Sequence, residues 1–439
     1  MRRREFFTGV GGAWLLAGCR PSRDRQMSVT VSPGVSSAAT AGDDEVAPPI
    51  PDEPDPFASL VGFCDGVPAP DEVEHAAHRA AMQAALGKAG LAALVVEPGP
   101  TMQYLTGVHW GRSERPFLLV LPATGAPRFV VPAFEARRAA EQITTSDVDP
   151  WAEHESAYAR VADAVGKARG KVAVDPEIRT FVAAAVGDAI GPRRVVGDAE
   201  VVAEVRMRKS EAELARLRRA NEATKAALKV AAAHVRVGMA QSEVADLVRR
   251  AQMAAGLTDV WTLALAGPAA AFPHGTHEDR VLDDGDLMLV DTGGALHGYR
   301  SDITRTWGVG EVGERPRRAF ETVLAAQTAA LDKIAPGVVA GEVDAAARRV
   351  MAEAGFGSDY ESFTHRLGHG IGLQVHEAPY LVKDSRRVLQ PGMTMSDEPG
   401  IYVPGAFGVR IEDIVAVTET GVEVFGPRVA SLDLPFGED

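Results

Sequence analysis

Two pairs of acidic residues and a glycine-flanked histidine cluster carry the chemistry of this 439-residue chain. The first pair is Asp291 and Asp302. Leu287 to Val290 is a short apolar run entered from the turn Asp283-Asp284-Gly285, and it reads as a strand. Ser301 to Trp307, rich in β-branched residues, reads as its antiparallel partner. Closing the hairpin over Leu296-His297 sets Ala295 against Gly298 and Asp291 against Asp302. Facing carboxylates lie about 4.5–5.5 Å apart at Cβ and destabilise a sheet, so the pair calls for a shared proton or a cation. A second hairpin, residues 396–413, turns at Gly405 and sets Glu398 opposite Glu412. Pro399 weakens the ladder there, so a bulge or an edge is expected. One such pair is ordinary on a solvated hairpin; a second at a matching place is not.

Between the hairpins, residues 364–377 hold His365, His369 and His376. A spacing of four keeps His365 and His369 on one face of either a helix or a strand. Gly368, Gly370 and Gly372 disfavour a helix and let backbone approach a site closely. Imidazole beside four carboxylates is a mixed N/O ligand set that suits manganese, iron, cobalt or zinc better than magnesium or calcium. Arg410 shares a strand face with Glu412, two residues on, and is placed to hydrogen-bond a ligating carboxylate from behind. His277 and His297 are assigned to surface loops.

The elements that must position these groups come twice. Ser210 with Glu213 forms a capping box for a long helix to about His234, and a second helix, Gln241 to Ala255, ends at Gly256. After the first hairpin, Pro316 opens a helix to about Ile334, and Glu342 to Ala354 follows, stopped by Gly355. Two helices and an acid-bearing hairpin, twice over, suggest two pseudo-symmetric halves around one site within residues 206–439. Ahead of them, residues 57–205 alternate helices (72–86, 135–142, 157–167, 179–190) with strands (91–96, 117–121, 128–131, 171–174). This predicts an α/β domain with a mixed sheet covered by helices, so the chain as a whole is α/β (α+β). No glycine-rich phosphate loop follows any of these strands.

The start of the chain reads as targeting. Arg2-Arg3-Arg4-Glu5-Phe6-Phe7 precedes an apolar run to Gly18 that is too short to span a bilayer. It resembles a twin-arginine export signal. Leu16-Ala17-Gly18-Cys19 resembles a bacterial lipobox, so Cys19 is the expected lipidation site and residues 1–18 the removed signal. Residues 19–56, rich in Ser, Ala, Pro and acids, read as a disordered tether. The expected location is the periplasmic side of the bacterial envelope, with the membrane met only through the lipid anchor. Net charge is −14; losing three arginines and one glutamate with residues 1–18 (+2) leaves −16, which argues against a nucleic-acid partner. Cys19 and Cys64 are the only cysteines, so no disulfide framework is expected.

Asp291, Asp302, His369, Glu398 and Glu412, in that order, resemble the five ligands of the pita-bread metallopeptidases. The long first domain and the run His365-Arg366-Leu367-Gly368-His369-Gly370-Ile371-Gly372 resemble the Xaa-Pro aminopeptidase and Xaa-Pro dipeptidase (prolidase) branch. The likeness extends over roughly Glu72 to Val424, with weaker matches at Tyr104-Leu105-Thr106-Gly107 and Arg208-Lys209-Ser210. It implies a pita-bread catalytic domain with two divalent metal ions, usually manganese, with cobalt, iron or zinc as the other occupants. Asp302 and Glu412 would bridge both ions, Asp291 would complete one shell, and His369 with Glu398 the other. Such ions lower the pKa of a bridging water. Glu398 would take its proton and pass it toward the leaving proline nitrogen. His365 and His376 would donate hydrogen bonds to the developing oxyanion or to the substrate's proline end. His274, in Phe272-Pro273-His274-Gly275, would be the third active-site histidine; its own signal is weak, because a lone loop histidine is more often just solvated. The substrate implied is a small proline-containing peptide cut before proline, whether dipeptide or longer, and a homodimer is expected. A creatine-type amidinohydrolase shares the fold but lacks the metal carboxylates, and methionine aminopeptidases lack the large first domain. A non-catalytic binding relative would usually have lost ligands. A metal-dependent lyase acting on a small sulfonium acid stays as the alternative.

Overall fold

The computed structural model describes residues 55–144, 146–197 and 199–437. The expected export signal, the Cys19 lipidation site and the tether up to residue 54 lie outside the described residues. Among those described, no helix is long and apolar enough to cross a membrane.

Leu91–Val96 (β1) is apolar at every position and is buried on both faces, as expected for the centre of a covered sheet. Around it the chain adds Leu118–Pro122 (β2), Arg128–Pro132 (β3), Asp147–Trp151 (β4), Lys171–Val174 (β5) and Val195–Gly197 (β6), in the order β4-β3-β2-β1-β5-β6. β1 runs antiparallel to β2 and parallel to β5, so the sheet is mixed, as its alternation with helices implies. The helices are Glu72–Lys88 (α1), Pro100–Thr106 (α2), Ala136–Ala139 (α3), Ala157–Val165 (α4), Thr180–Ile190 (α5) and Ala199–Arg206 (α6). β4 and β6, which the sequence pattern does not predict, are the two edges. Asp147-Val148-Asp149-Pro150-Trp151 carries two acids and a proline and buries only Trp151, and edge strands tolerate this composition.

The second part opens at the expected cap: Ser210 Oγ accepts from the Glu213 N–H, and Glu213 returns a carboxylate to the Ser210 N–H. Two helix pairs follow with matching lengths. Glu211–Ala232 (α7) and Gln241–Ala254 (α8) have 22 and 14 residues; Glu314–Lys333 (α9) and Ala340–Glu353 (α10) have 20 and 14. α7 packs on α8 and α9 on α10. Pro316 is the third rather than the first residue of α9, a place where its missing N–H is equally harmless. Between the pairs lie Thr258–Ala266 (β7), Leu287–Leu296 (β8), Tyr299–Arg300 (β9) and Ile303–Gly308 (β10), with β8 between β7 and β10. After α10 come Gly368–Gly370 (β11), Glu377–Leu381 (β12), Thr394–Asp397 (β13), Gly400–Val403 (β14), Phe407–Arg410 (β15), Asp413–Val417 (β16) and Val422–Val424 (β17). Five of these form a sheet in the order β12-β11-β13-β16-β17, while β14 and β15 pair with each other. The expected domain boundary at 205/206 falls at the last turn of α6, and the described residues cluster as one compact unit.

The first hairpin's register needs correcting. Its turn is His297-Gly298, not Leu296-His297; both residues have positive φ, +52° and +89°, as a type I′ turn requires. Leu296 therefore pairs with Tyr299, and Asp291 with Thr304 rather than Asp302. Counting along the same register, Asp302 falls opposite Gly293. The second hairpin keeps the expected register, with Asp397 opposite Asp413 and Gly400 opposite Arg410, so Glu398 and Glu412 face one another. The ladder is interrupted between those pairs, where Pro399 sits.

Candidate metal centre

All five acid and imidazole groups converge where the two sheets meet. Asp291 lies in β8 opposite Thr304 of β10 and Leu263 of β7. Asp302 immediately precedes β10, its N–H donated to Asn221 Oδ1 of α7 at 3.1 Å. Glu398 and Glu412 occupy the break between the β13/β16 and β14/β15 ladders. His369 is the middle residue of β11.

Ligand atoms of Asp302, His369 and Glu412 lie within 4.8 Å of one another, and all three residues are buried. His369 Nε2 stands 3.2 Å from Glu398 Oε1 and 3.5 Å from Asp302 Oδ2. Its Nδ1 faces the Gly370 carbonyl at 3.1 Å, an acceptor only, so Nδ1 carries the proton and Nε2 presents a lone pair to the acids. Asp291 Oδ1, Asp302 Oδ1 and Glu412 Oε1 are buried without any hydrogen-bond partner. Buried oxygens are rarely left so. Four carboxylates share this space with the charge of Arg410, and two like charges 4 Å apart cost about 4 kcal/mol at an effective dielectric of 20. Burial, then the neighbouring acids, push the Asp302 and Glu412 carboxyls well above the usual range. Burial also works against ionised Glu398, but where His369 takes a second proton at Nε2 in the metal-free fold, its hydrogen bond and charge bring Glu398 down to about 2. Orphaned buried oxygens facing a free imidazole lone pair fit divalent cations, and the set can be neutralised by them without protonating the acids.

Arg410 holds the acids from behind, as its place before Glu412 predicts. Its Nη2 donates to Asp291 Oδ2 at 2.6 Å and its Nε to Thr304 Oγ1 at 3.0 Å. Thr304 Oγ1 in turn donates to Glu412 Oε2 at 2.7 Å. Arg410 Nη1 donates to Tyr402 OH at 2.9 Å and to the Pro273 carbonyl at 3.3 Å, which ties down the loop bearing His274. Ser396 Oγ accepts from the His369 N–H and donates to Glu398 Oε1 at 3.1 Å. Sequence reasoning passed over Thr304, Tyr402 and Ser396. Thr304 and Ser396 lie two residues from Asp302 and Glu398, on the same strand faces, and that spacing was the available signal.

Gly368 and Gly370 flank His369 because nothing larger fits. A Cβ on Gly368 would lie 1.9 Å from the Ser396 carbonyl oxygen, and one on Gly370 2.2 Å from that of Ala378.

The remaining histidines divide. His376 keeps part of its surface exposed while its ring packs 4.1 Å from that of His369, with neither nitrogen hydrogen-bonded in the protein; desolvation of the packed side of the ring and the nearby His369 push it down to about 4. His274 is also exposed on its loop, with its ring nitrogens open. The His365 Nδ1–H donates to the Arg366 carbonyl at 2.8 Å and its Nε2 accepts from Tyr402 OH at 2.7 Å, so both nitrogens are engaged within the protein. In this arrangement His365 orients Tyr402. His277 is exposed, as expected, and exposed His297 forms the hairpin turn.

Comparison with known proteins agrees with this geometry. Residues 215–419 match the model of metallopeptidase family M24, and residues 78–208 match the creatinase/prolidase N-terminal domain. A probable dipeptidase PepE of Mycobacterium tuberculosis is 40% identical over 363 residues, covering 80% of this chain and 94% of that protein. An Xaa-Pro dipeptidase of Lactobacillus delbrueckii subsp. lactis is 32% identical, covering 76% and 93%. The crystal structure of dipeptidase PepE from Mycobacterium ulcerans superposes with a TM-score of 0.79 at 38% identity, covering 83% of this chain and 98% of that one.

Proposed function

The chain belongs to metallopeptidase family M24, and on that footing we propose that it hydrolyses the peptide bond preceding proline in small peptides, using two divalent cations. The observation that carries this reading is the set of partnerless buried carboxylate oxygens on Asp291, Asp302 and Glu412, the last two clustered with His369. Asp291, Asp302, His369, Glu398 and Glu412 would hold the ions, with Asp302 and Glu412 shared between them. The ions, manganese in the first place, would supply the Lewis acidity that makes water nucleophilic near neutral pH.

The chain's own groups do the rest. Glu398, held ionised at neutral pH, accepts the proton of the attacking water and returns it to the leaving proline nitrogen. His376 and His274, with open ring nitrogens, donate to the developing oxyanion or the substrate's proline end. Arg410 and Thr304 fix Asp291 and Glu412 in place, and Tyr402 is fixed by Arg410 and His365. Relatives named as dipeptidases support a preference for dipeptides.

The test is release of proline from an Xaa-Pro dipeptide against cleavage of an Xaa-Pro-Xaa tripeptide, after metal removal and reconstitution with Mn²⁺. No cleavage of either, with metal bound, would sink the proposal. Full activity in Asp302→Ala would refute the shared-ion arrangement, and zinc as the native occupant would refute manganese. The proposal extends to export by the Arg2-Arg3 signal, lipid anchoring at Cys19 and a homodimer. Membrane-fraction recovery of wild type against Cys19→Ala, and sedimentation of the purified protein, test these.

A further inference from the structure

His376 has a demanding position and little to hold it. Its ring stands on that of the ligand His369, yet neither of its nitrogens bonds to the protein. The next residue is held on both sides. Glu377 Oε1 accepts from Lys209 Nζ at 2.7 Å and Oε2 from Arg206 Nη2 at 2.6 Å, and all three side chains are at least nine-tenths buried. Neither cation comes from the strands of the site. Arg206 ends α6, where its Nη1 also reaches Thr101 Oγ1 of α2 at 3.2 Å. Lys209 lies in the link between α6 and α7, its N–H donated to the Gly392 carbonyl at 2.8 Å. The Glu377 carboxylate crosses directly over Gly372, where a Cβ would meet Oε1 at 2.6 Å, so the loop 371–376 is folded under the ion triplet. Glu377 also marks the irregularity where β12 opposes Gly370 of β11 beside His369.

We propose that the Arg206–Glu377–Lys209 triplet is a positioning clamp that fixes the chain at 376–377, so that the His376 imidazole stays over His369 with a nitrogen free for substrate. This deepens the peptidase reading and rests on it. Two buried cations on one carboxylate are costly unless their geometry is fixed, and that geometry is what sets the direction in which the preceding side chain leaves the strand. The clamp also makes the position of His376 depend on the link between α6 and α7, and through Arg206 on α2 of the first domain. Glu377 touches no substrate; it acts through its neighbour.

A double-mutant cycle between Glu377→Gln and His376→Ala, on protein reconstituted with Mn²⁺ and with metal per chain measured, tests this. Glu377→Gln alone should lower kcat by at least about tenfold, with KM and metal content little changed, as mutation of outer partners of a site does. In the His376→Ala background the same change should cost no more than about twofold, because two residues acting as one unit are not additive. Equal losses in both backgrounds overturn the proposal. If Glu377→Gln does not fold, Lys209→Met removes one ion pair and leaves the other, and should give a smaller loss with the same non-additivity. A second readout does not depend on turnover: the rate of His376 carbethoxylation in metal-free protein should change several-fold in Glu377→Gln, and an unchanged rate refutes the clamp. Wild type that cleaves no Xaa-Pro peptide would count against the peptidase reading alone, and the carbethoxylation rate would still decide the clamp.

Discussion

In the metal-free protein the stability should contain a component that falls as pH rises, and Asp302→Asn should abolish that component. In the metal-free fold the Asp302 carboxyl, 4% exposed, is pushed well above its ordinary value by burial and then by Glu412, Asp291 and Glu398. A carboxyl raised in the fold binds a proton there that the unfolded chain has already released. Between the unfolded value near 4 and the raised folded value, stability therefore drops by about 1.4 kcal/mol per pH unit for each proton so held. Other groups tilt the same curve: His365 and His376, held near 4, give a slope of the opposite sign up to the ordinary histidine range. The informative quantity is thus the difference between wild type and Asp302→Asn, whose amide imitates the protonated acid in shape. Denaturant unfolding in EDTA at pH 5, 6 and 7 should give a wild-type-minus-variant difference that falls as pH rises, by at most about 1.4 kcal/mol per pH unit, the limit for one held proton. Saturating Mn²⁺ should reverse the trend, because cations compete with the proton. A difference that is flat or rises with pH in EDTA would show that Asp302 is ionised in the empty fold, and the electrostatic case for a cation would fail.

Thr304→Val removes the hydroxyl that takes the Arg410 Nε–H and donates to Glu412 Oε2; kcat/KM or Mn²⁺ affinity should fall by about 10–100-fold with the fold retained, as steady-state kinetics and metal titration would show. Arg216→Met strips α7 of a 2%-exposed guanidinium that grips both Glu74 oxygens of α1 at 2.5 and 2.8 Å, and should cost about 3–5 kcal/mol in denaturant unfolding by leaving a partly buried acid unpaired. Gly370→Ala forces a methyl against the Ala378 carbonyl beside His369, so purified protein should retain little metal by elemental analysis even where it folds.

Elements whose signal is local were legible in the sequence. The Ser210–Glu213 box, the fully apolar Leu91–Val96 strand and the glycine stop at Gly256 each announce themselves within a few residues. Edge strands β4 and β6 were not, because an edge needs little burial and so little apolar pattern. The partners of the site were hidden for a different reason. Nothing near Thr304 in sequence says that Arg410, over a hundred residues on, donates to it, and His365 could not be known to spend both nitrogens until Tyr402 was folded against it.

The first hairpin shows why a site can be read correctly through a wrong register. Moving a two-residue turn by one position, from Leu296-His297 to His297-Gly298, moves every cross-strand partner by two. Side chains alternate with period two, so an even shift changes the neighbour but not the face. Asp291 and Asp302 thus stay on one side of the sheet although Asp291 pairs with Thr304 rather than Asp302, and Thr304 turns out to be the hydroxyl that links Arg410 to Glu412. A shift of one residue in a single strand would have sent Asp302 to the far face, away from His369. The glycine at 298 excludes that outcome: it supplies the second positive φ that a type I′ turn demands, and the turn then pins both strands at once.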